Sequence, residues 1–409
     1  MRLHWRRPVS LVNARIVAPG GVASRLRFGT RVLSIDQPPR KGDVIVDIDG
    51  AFVLPGLINA HDHLELNHYG LLKRRHRYEN ASEWIDDLRP ALQSDSAIRA
   101  NSQYPLGARL FIGALKNILA GVTTVAHHNP RYREIGRAFP VRVPARYGWA
   151  HSLALEHQPV GARGEPGGDV RERCQATPGH VPFIVHVAEG VDAAAAAELP
   201  RLEALGCLRA NTVLVHGVAL TPDDWTRIVG SGASLVWCPV SNAFLFGQTA
   251  PVRRFLDASE NAREHICLGS DSRVTGARDL LDELRAAAAL IPIGADELLP
   301  MVTSVPARIL RLPDAGRIAV GHPADLVVVP PGKNLAADAL LAASRRDLAL
   351  VTLAGQPVVA SPALRTVFDA RATSAQPVLV DGAERLAASR LARAIARCPI
   401  KEPGVECAV

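Results

Sequence analysis

Six residues carry the chemistry that this sequence offers. His61 and His63 stand one residue apart at the end of an apolar run, LPGLINAHDHLEL over 54–66. His186 precedes Glu189 by three positions, and His216 and Asp271 each end a later apolar run. In an extended strand residues i and i+2 share a face, so His61 and His63 can point at one ion together. Imidazole nitrogen and carboxylate oxygen suit a borderline divalent cation such as Zn²⁺, at roughly 2.0–2.2 Å. His61, His63, His186 and Asp271 would form such a site with room for a water, which the cation would acidify. Each residue taken singly has a plainer use. A lone buried histidine is more often a satisfied core residue, and an aspartate in Gly-Ser-Asp-Ser is commonly a turn or cap residue. Their recurrence at the ends of successive apolar runs favours the metal.

Those runs are the elements that must position the set. They cover 56–61, 121–127, 145–151, 182–187, 211–216, 233–238 and 265–271, and helical stretches lie between them. One helix start is explicit at Thr221-Pro222-Asp223-Asp224, with a capping Thr, Pro in the first turn and acids at the positive end of the dipole. Wholly apolar strands alternating with helices predict parallel βα units, hence an α/β chain with a (β/α)₈ (TIM) barrel over 56–311. In that barrel the active site lies at the C-terminal strand ends, where the six residues fall. Seven strands are evident; the eighth βα unit is either abbreviated or hidden in ALEHQPV, 154–160. Short strands over 8–55, and others after the barrel, predict a small discontinuous β-sandwich domain from 1–55 and 312–370. Residues 371–409 read as a C-terminal amphipathic helix, ERLAASRLARAIAR, and a tail.

Composition narrows the class. The chain has 409 residues, 48% of them apolar, enough for a large core and more than one structural unit. The +7 net charge is spread along the chain, and the basic cluster at 73–77 has no interleaved aromatics, so a nucleic-acid partner is not expected. No window approaches 18 uncharged apolar residues, so no membrane partner is expected either. Six cysteines without a Cys-x-x-Cys pair suit reduced thiols in a cytoplasm. The expected partner is a small-molecule substrate, and the amphipathic C-terminal helix is compatible with a homodimer.

The motifs LPGLINAHDHL, GVTTV, His186-Val-Ala-Glu189, LVHGVAL, WCPVSN and LGSDS, with the later GRIAVGHPADLVVV, resemble the amidohydrolase superfamily. They are most similar to its branch of cytosine, guanine and S-adenosylhomocysteine deaminases and triazine hydrolases. The resemblance implies that His61, His63, His186 and Asp271 bind metal and that Glu189 moves a proton from water to substrate. It implies that His216 orients or polarises the substrate and that Asp271 accepts the water proton. Binuclear relatives bridge two ions with a carboxylated mid-barrel lysine. This chain has no lysine between 117 and 332, which favours one metal ion, Zn²⁺ before Fe²⁺ or Mn²⁺. The implied reaction is hydrolytic deamination of a small amino-heterocycle or amidine. Hydrolysis of a cyclic amide, imide or ureide, dechlorination of a heterocycle, and a non-catalytic ligand-binding barrel are the alternatives. Candidate substrate contacts are Glu65, His68, Trp84, His127, His151 and Phe244. The 73–77 cluster is either an attractor for anions or a solvated face.

Overall fold

The apolar runs become parallel strands because each is buried on both faces and cannot leave a polar face to water. In the computed structural model, which describes residues 6–18, 21–156, 158, 168–258, 260–332 and 335–407, these strands are β1 (Leu57–Asp62), β2 (Val122–His127), β3 (Gly148–Ser152), β4 (Phe183–Val187), β5 (Thr212–His216), β6 (Ser234–Trp237) and β7 (Ile266–Leu268). Among the described residues β1 pairs with β2, and β3 to β7 form a five-stranded parallel sheet in chain order. The end of β7 returns to β1: Asp271 N–H donates to His61 O at 3.1 Å, and Ser270 N–H to Asn59 Oδ1 at 3.0 Å.

Between β2 and β3 the ladder is reduced to one parallel bridge, Thr124 with Arg142. Arg142 N–H donates to Thr123 O at 2.8 Å, and Arg142 O accepts from Val125 N–H at 2.9 Å. Pro140 and Pro144 flank this segment, and neither can donate to a ladder, so pairing stops after one residue. The abbreviated strand is therefore here. The expectation of a strand in ALEHQPV is not met: residues 154–156 and 158 are turn and bend, and the rest of that stretch lies outside the described residues.

Helices that bear on the site are α1 (Ala81–Ser94), α2 (Leu106–Leu119), α3 (Pro222–Ser231) and α4 (Pro239–Phe246). The expected start of α3 is present as a full capping box between Thr221 and Asp224 with Pro222 in the first turn. No helix among the described residues is long and apolar enough to cross a membrane.

Two further sheets lie beside the parallel strands. A four-stranded sheet is built from Val9–Val12, Leu26–Phe28, Val32–Ile35 and Val44–Asp47. A nine-stranded sheet joins Arg15–Ala18 and Phe52–Pro55 to strands from the C-terminal third, with Phe52–Pro55 antiparallel to Leu326–Val329. Val9, Leu11 and Phe28 of the first sheet share one apolar core with Ile16, Val53, Leu326 and Leu350 of the second. The chain thus returns after the parallel strands to complete what its first residues began. The C-terminal helix is shorter than its amphipathic pattern predicted. Ala383–Ala388 pairs as a strand with Ala375–Val380, and the helix spans Ser389–Arg397. Strand pairing overrides the helical propensity of this alanine-rich stretch. The tail adds a strand too, Val405–Cys407.

Candidate active site

The C-terminal ends of β1, β4, β5 and β7 bring His61, His63, His186, His216 and Asp271 to one place. His61 Nε2 lies 3.2 Å from His186 Nε2 and 3.9 Å from Asp271 Oδ1, and His63 Nε2 lies 3.8 Å from the same oxygen. Gly269 allows this approach, since a Cβ there would fall 2.6 Å from His61 Cβ. Two of the residues adopt left-handed backbone, His216 at φ 76° and Asp271 at φ 49°. Such strain in non-glycine residues persists only where surrounding structure over-determines it, and it clusters at functional sites.

Hydrogen bonds set how each side chain presents itself. His186 Nδ1 donates to His151 O at 2.8 Å, so its Nε2 keeps a free lone pair facing the cluster. His216 Nδ1 bonds Asn242 Oδ1 at 2.9 Å, from α4, which leaves Nε2 3.5 Å from Glu189 Oε1. Asp271 Oδ2 accepts from Ser241 Oγ at 2.9 Å and Thr275 Oγ1 at 2.8 Å, and Oδ1 accepts from Ser272 N–H at 2.6 Å.

The electrostatics fit a cation. Burial, and then the charges of neighbouring histidines, push His61 and His186 well below the usual imidazole range, so both are neutral donors. Burial raises Asp271, but the His63 and His216 charges and the hydrogen bonds to Ser272 and Thr275 outweigh it and hold the carboxyl low. Ligand atoms of His61, His63 and Asp271 lie within 4.8 Å of one another, as do those of His61, His128 and His186. Imidazoles and one carboxylate held low are a donor set suited to a single divalent ion.

Glu189 follows Ala188, whose φ of 55° turns the chain out of β4. Its side chain, 13% exposed, stands at the wall of a cavity of about 270 Å³. Burial first, then the negative charges of Asp271 and Glu198, push its carboxyl well above the usual range. The same glutamate and His151 also line an adjoining cavity of about 360 Å³.

Of the candidate substrate contacts, Glu65, Trp84 and His151 line the 270 Å³ cavity. Glu65 is fully buried; Asn129 Nδ2 donates to its Oε1 at 2.5 Å, and its Oε2 has no hydrogen-bond partner. The other three stand elsewhere. His127 is sealed behind Glu65, with Nδ1 3.8 Å from Glu65 Oε2, because strand alternation turns it away from the cluster. The next residue, His128, takes the place beside the cluster, its ring centroid 4.3 Å from that of His186. His68 bonds Asn101 O at 3.1 Å, and burial lowers its pKa to about 4. Phe244 lies under Lys73, whose Nζ is 4.3 Å from the ring centroid. The neighbouring Arg74 and Arg75 are spent on ion pairs with Asp95 and Asp87. Sequence reasoning placed His128 and Asn129 at a strand end beside the pocket but gave no role to Ser241 and Asn242, although both stand in the WCPVSN motif. It also missed Lys116, which no local pattern announces.

Parallel strands that carry a metal-competent set at their C-terminal ends define a hydrolase of the metal-dependent barrel class. Residues 162–365 match the amidohydrolase family. A 5-methylthioadenosine/S-adenosylhomocysteine deaminase of Halobacterium salinarum is 29% identical over 352 residues, covering 74% of this chain and 78% of the relative. Among solved structures, an atrazine chlorohydrolase from Arthrobacter aurescens TC1 complexed with zinc aligns with a TM-score of 0.67 at 19% identity, over 89% of this chain and 99% of the other. An adenosine deaminase from Xanthomonas campestris with bound zinc aligns with a TM-score of 0.63 at 20% identity, over 86% and 92%. The resemblance to the amidohydrolase superfamily is borne out, and the chain is a hydrolase. The family and these neighbours imply a TIM-barrel fold for the parallel strands.

Proposed function

We propose that this chain hydrolyses a non-peptide C–N bond in a small molecule, by deaminating a planar amino-heterocycle or amidine at a single-metal site. The observation that carries the reading is Glu189 Oε1, 3.5 Å from His216 Nε2, at the wall of a cavity that His63, His186 and Asp271 also line, with His61 Nε2 3.2 Å from His186 Nε2. A divalent cation on His61, His63, His186 and Asp271, Zn²⁺ before Fe²⁺ or Mn²⁺, would acidify a water and polarise the substrate. Asp271 takes the proton from the attacking water. Glu189, whose carboxyl burial and the Asp271 and Glu198 charges push up, delivers its proton to the nitrogen beside the carbon under attack and regains one from the hydroxyl of the tetrahedral adduct as the carbonyl forms. The C–N bond to the amino group then breaks, and the proton held by Asp271 goes to the departing nitrogen, which leaves as ammonia. General acid/base work of this kind contributes typically ~10²–10⁴-fold. His216, oriented by Asn242, offers Nε2 as an acceptor to the substrate N–H.

The far wall supports a flat, apolar substrate. Leu66, Leu72, Trp84, Ile85, Leu88 and Val274 line it, and Trp84 Nε1–H is already spent on Leu72 O at 2.8 Å. Glu65, which also lines this cavity, is the carboxylate that would accept from a substrate amino or ring N–H. The Halobacterium relative's name, a deaminase of an adenine-bearing compound, points the same way. In this reading the catalytic barrel spans 56–311, and 1–55 with 312–370 form a β-sandwich unit that the strands after 374 extend. The free thiols support a cytoplasmic setting.

Metal analysis of the purified protein, with a panel of amino-heterocycles and amidines read out for ammonia, tests this. About one ion per chain and ammonia release that stops on chelation are expected. Full turnover after chelation would sink the metal's role. Substrate loss without ammonia would replace deamination by ring opening or dechlorination.

A further inference from the structure

Directly beneath the site lies a lysine with no exposure at all. Lys116, on α2, has its ammonium 3.3 Å from Asp62 Oδ2, 2.6 Å from Asn67 Oδ1 and 3.1 Å from Asp271 O. Its three N–H donors meet three acceptors. Asp62 stands between His61 and His63 in the chain, and Asp271 is itself one of the four convergent residues.

We propose that Lys116 is a positioning residue, whose buried ammonium ties the end of β1 to the end of β7 and so sets the spacing of the ligand atoms. The inference rests on the reading that His61, His63, His186 and Asp271 hold a divalent ion. Strand alternation puts Asp62 on the side opposite His61 and His63, towards α2, so anchoring its carboxylate holds the face that carries both imidazoles. Asn117 Nδ2 at 2.8 Å and Asn67 Nδ2 at 2.7 Å complete that anchorage. On the β7 side, Lys116 and Ser270 Oγ both donate to Asp271 O, which restrains the left-handed backbone of that residue.

Close packing of α2 makes the reach possible. At Gly113 a Cβ would fall 2.2 Å from Leu64 O, so any side chain there would lift the helix off the loop that follows His63. Stability alone gives no reason for the pair. Well-packed apolar residues of similar volume commonly replace a buried ion pair at no loss. The pair is neutral overall, so it orients the ligands without repelling a cation above it.

The test uses full-length Lys116→Met and the double variant Asp62→Asn/Lys116→Met, stripped of metal and titrated with Co²⁺. Chelator competition gives affinity, the Co²⁺ absorption bands report ligand geometry, and thermal melts report folding. Partners behind metal ligands typically contribute about 10–100-fold to affinity. Both variants should lose about that much and show shifted bands. The double variant, which leaves no unpaired buried charge, should fold. A folded variant of either kind with wild-type affinity and bands overturns the proposal. Failure of both to fold assigns the pair to stability and overturns it too. Wild-type protein that takes up no Co²⁺ instead refutes the metal reading on which the proposal rests.

Discussion

Two buried polar clusters in this molecule are built on opposite plans. Near the C-terminus, Glu402 is gripped by Arg273, at 2.8 and 2.6 Å, and by Arg345. Asp381 is gripped by Arg345, at 2.9 and 2.8 Å, and by Arg278 at 2.9 Å. All four carboxylate oxygens have a guanidinium partner. In the histidine cluster, His61 Nδ1, His128 Nδ1, His151 Nδ1 and Glu65 Oε2 are buried without one, and two ring nitrogens face each other at 3.2 Å. Native interiors satisfy their polar groups, so a completed cluster reads as architecture and an incomplete one as a place that awaits a ligand.

The difference can be broken at either end. The largest effect is expected at Glu189. Glu189→Gln should lower kcat by ~10²–10⁴-fold, the scale of general acid/base catalysis, while metal content by elemental analysis stays at the wild-type level. Loss of metal in that variant would make Glu189 a ligand and redraw the site.

Next is Glu402→Ala, which leaves the buried Arg273 guanidinium without a carboxylate and Arg345 with Asp381 alone. Breaking a buried pair costs about 3–5 kcal/mol. Denaturant unfolding should show a loss of that order, while the folded fraction binds metal normally. A variant with unchanged stability would show that this cluster is not the architectural one.

A pH series on metal-free protein separates the clusters further. Burial holds His61, His128, His186 and His216 below the ordinary value of 6.5, and His151 down to about 3. Below pH 6.5 the unfolded chain therefore binds more protons, and folding stability falls as the pH drops. Burial acts the other way on Glu198, raised to about 7, and Glu283, raised to about 8. They bind protons in the folded state that the unfolded chain has released, so stability also falls as the pH rises through these values. Metal-free stability should peak near pH 6.5, with each group contributing at most about 1.4 kcal/mol per pH unit. Unfolding midpoints at pH 5, 6.5 and 8 in chelator give the curve. A midpoint that rises steadily towards pH 5 would contradict neutral buried histidines.

The smallest effect is expected at the apolar wall. Trp84→Ala should raise KM about tenfold, equivalent to ~1.4 kcal/mol, with kcat nearly unchanged, because the indole binds ground and transition states alike. Steady-state kinetics on the substrate found by the ammonia panel decides it. A kcat effect as large as that of Glu189→Gln would place Trp84 at the reacting atoms.

Much of this was written in the chain. Apolar runs ending in His61-Asp62-His63, His186, His216 and Asp271 marked the strands and the end at which they converge, since strand alternation and parallel order are local, periodic properties. The capping box at Thr221 was legible for the same reason. Where the reading slipped, a non-local fact decided. The prolines at 140 and 144 bear on the abbreviated strand only once β2 is known to lie alongside. Ala383–Ala388 looks helical until Ala375–Val380 pairs with it. His127 and His128 are indistinguishable by type, and only the register of β2 sends the second to the cluster and the first behind Glu65.

By itself, then, the sequence determined the donor types, their order and the strand ends that present them, because these follow from side-chain chemistry and backbone periodicity. Only the tertiary structure decided which nitrogens stay unpaired, which glutamate faces the cavity, and that Lys116 lies under Asp62 and Asp271. Those outcomes depend on distances between residues far apart in the chain, which no local pattern encodes.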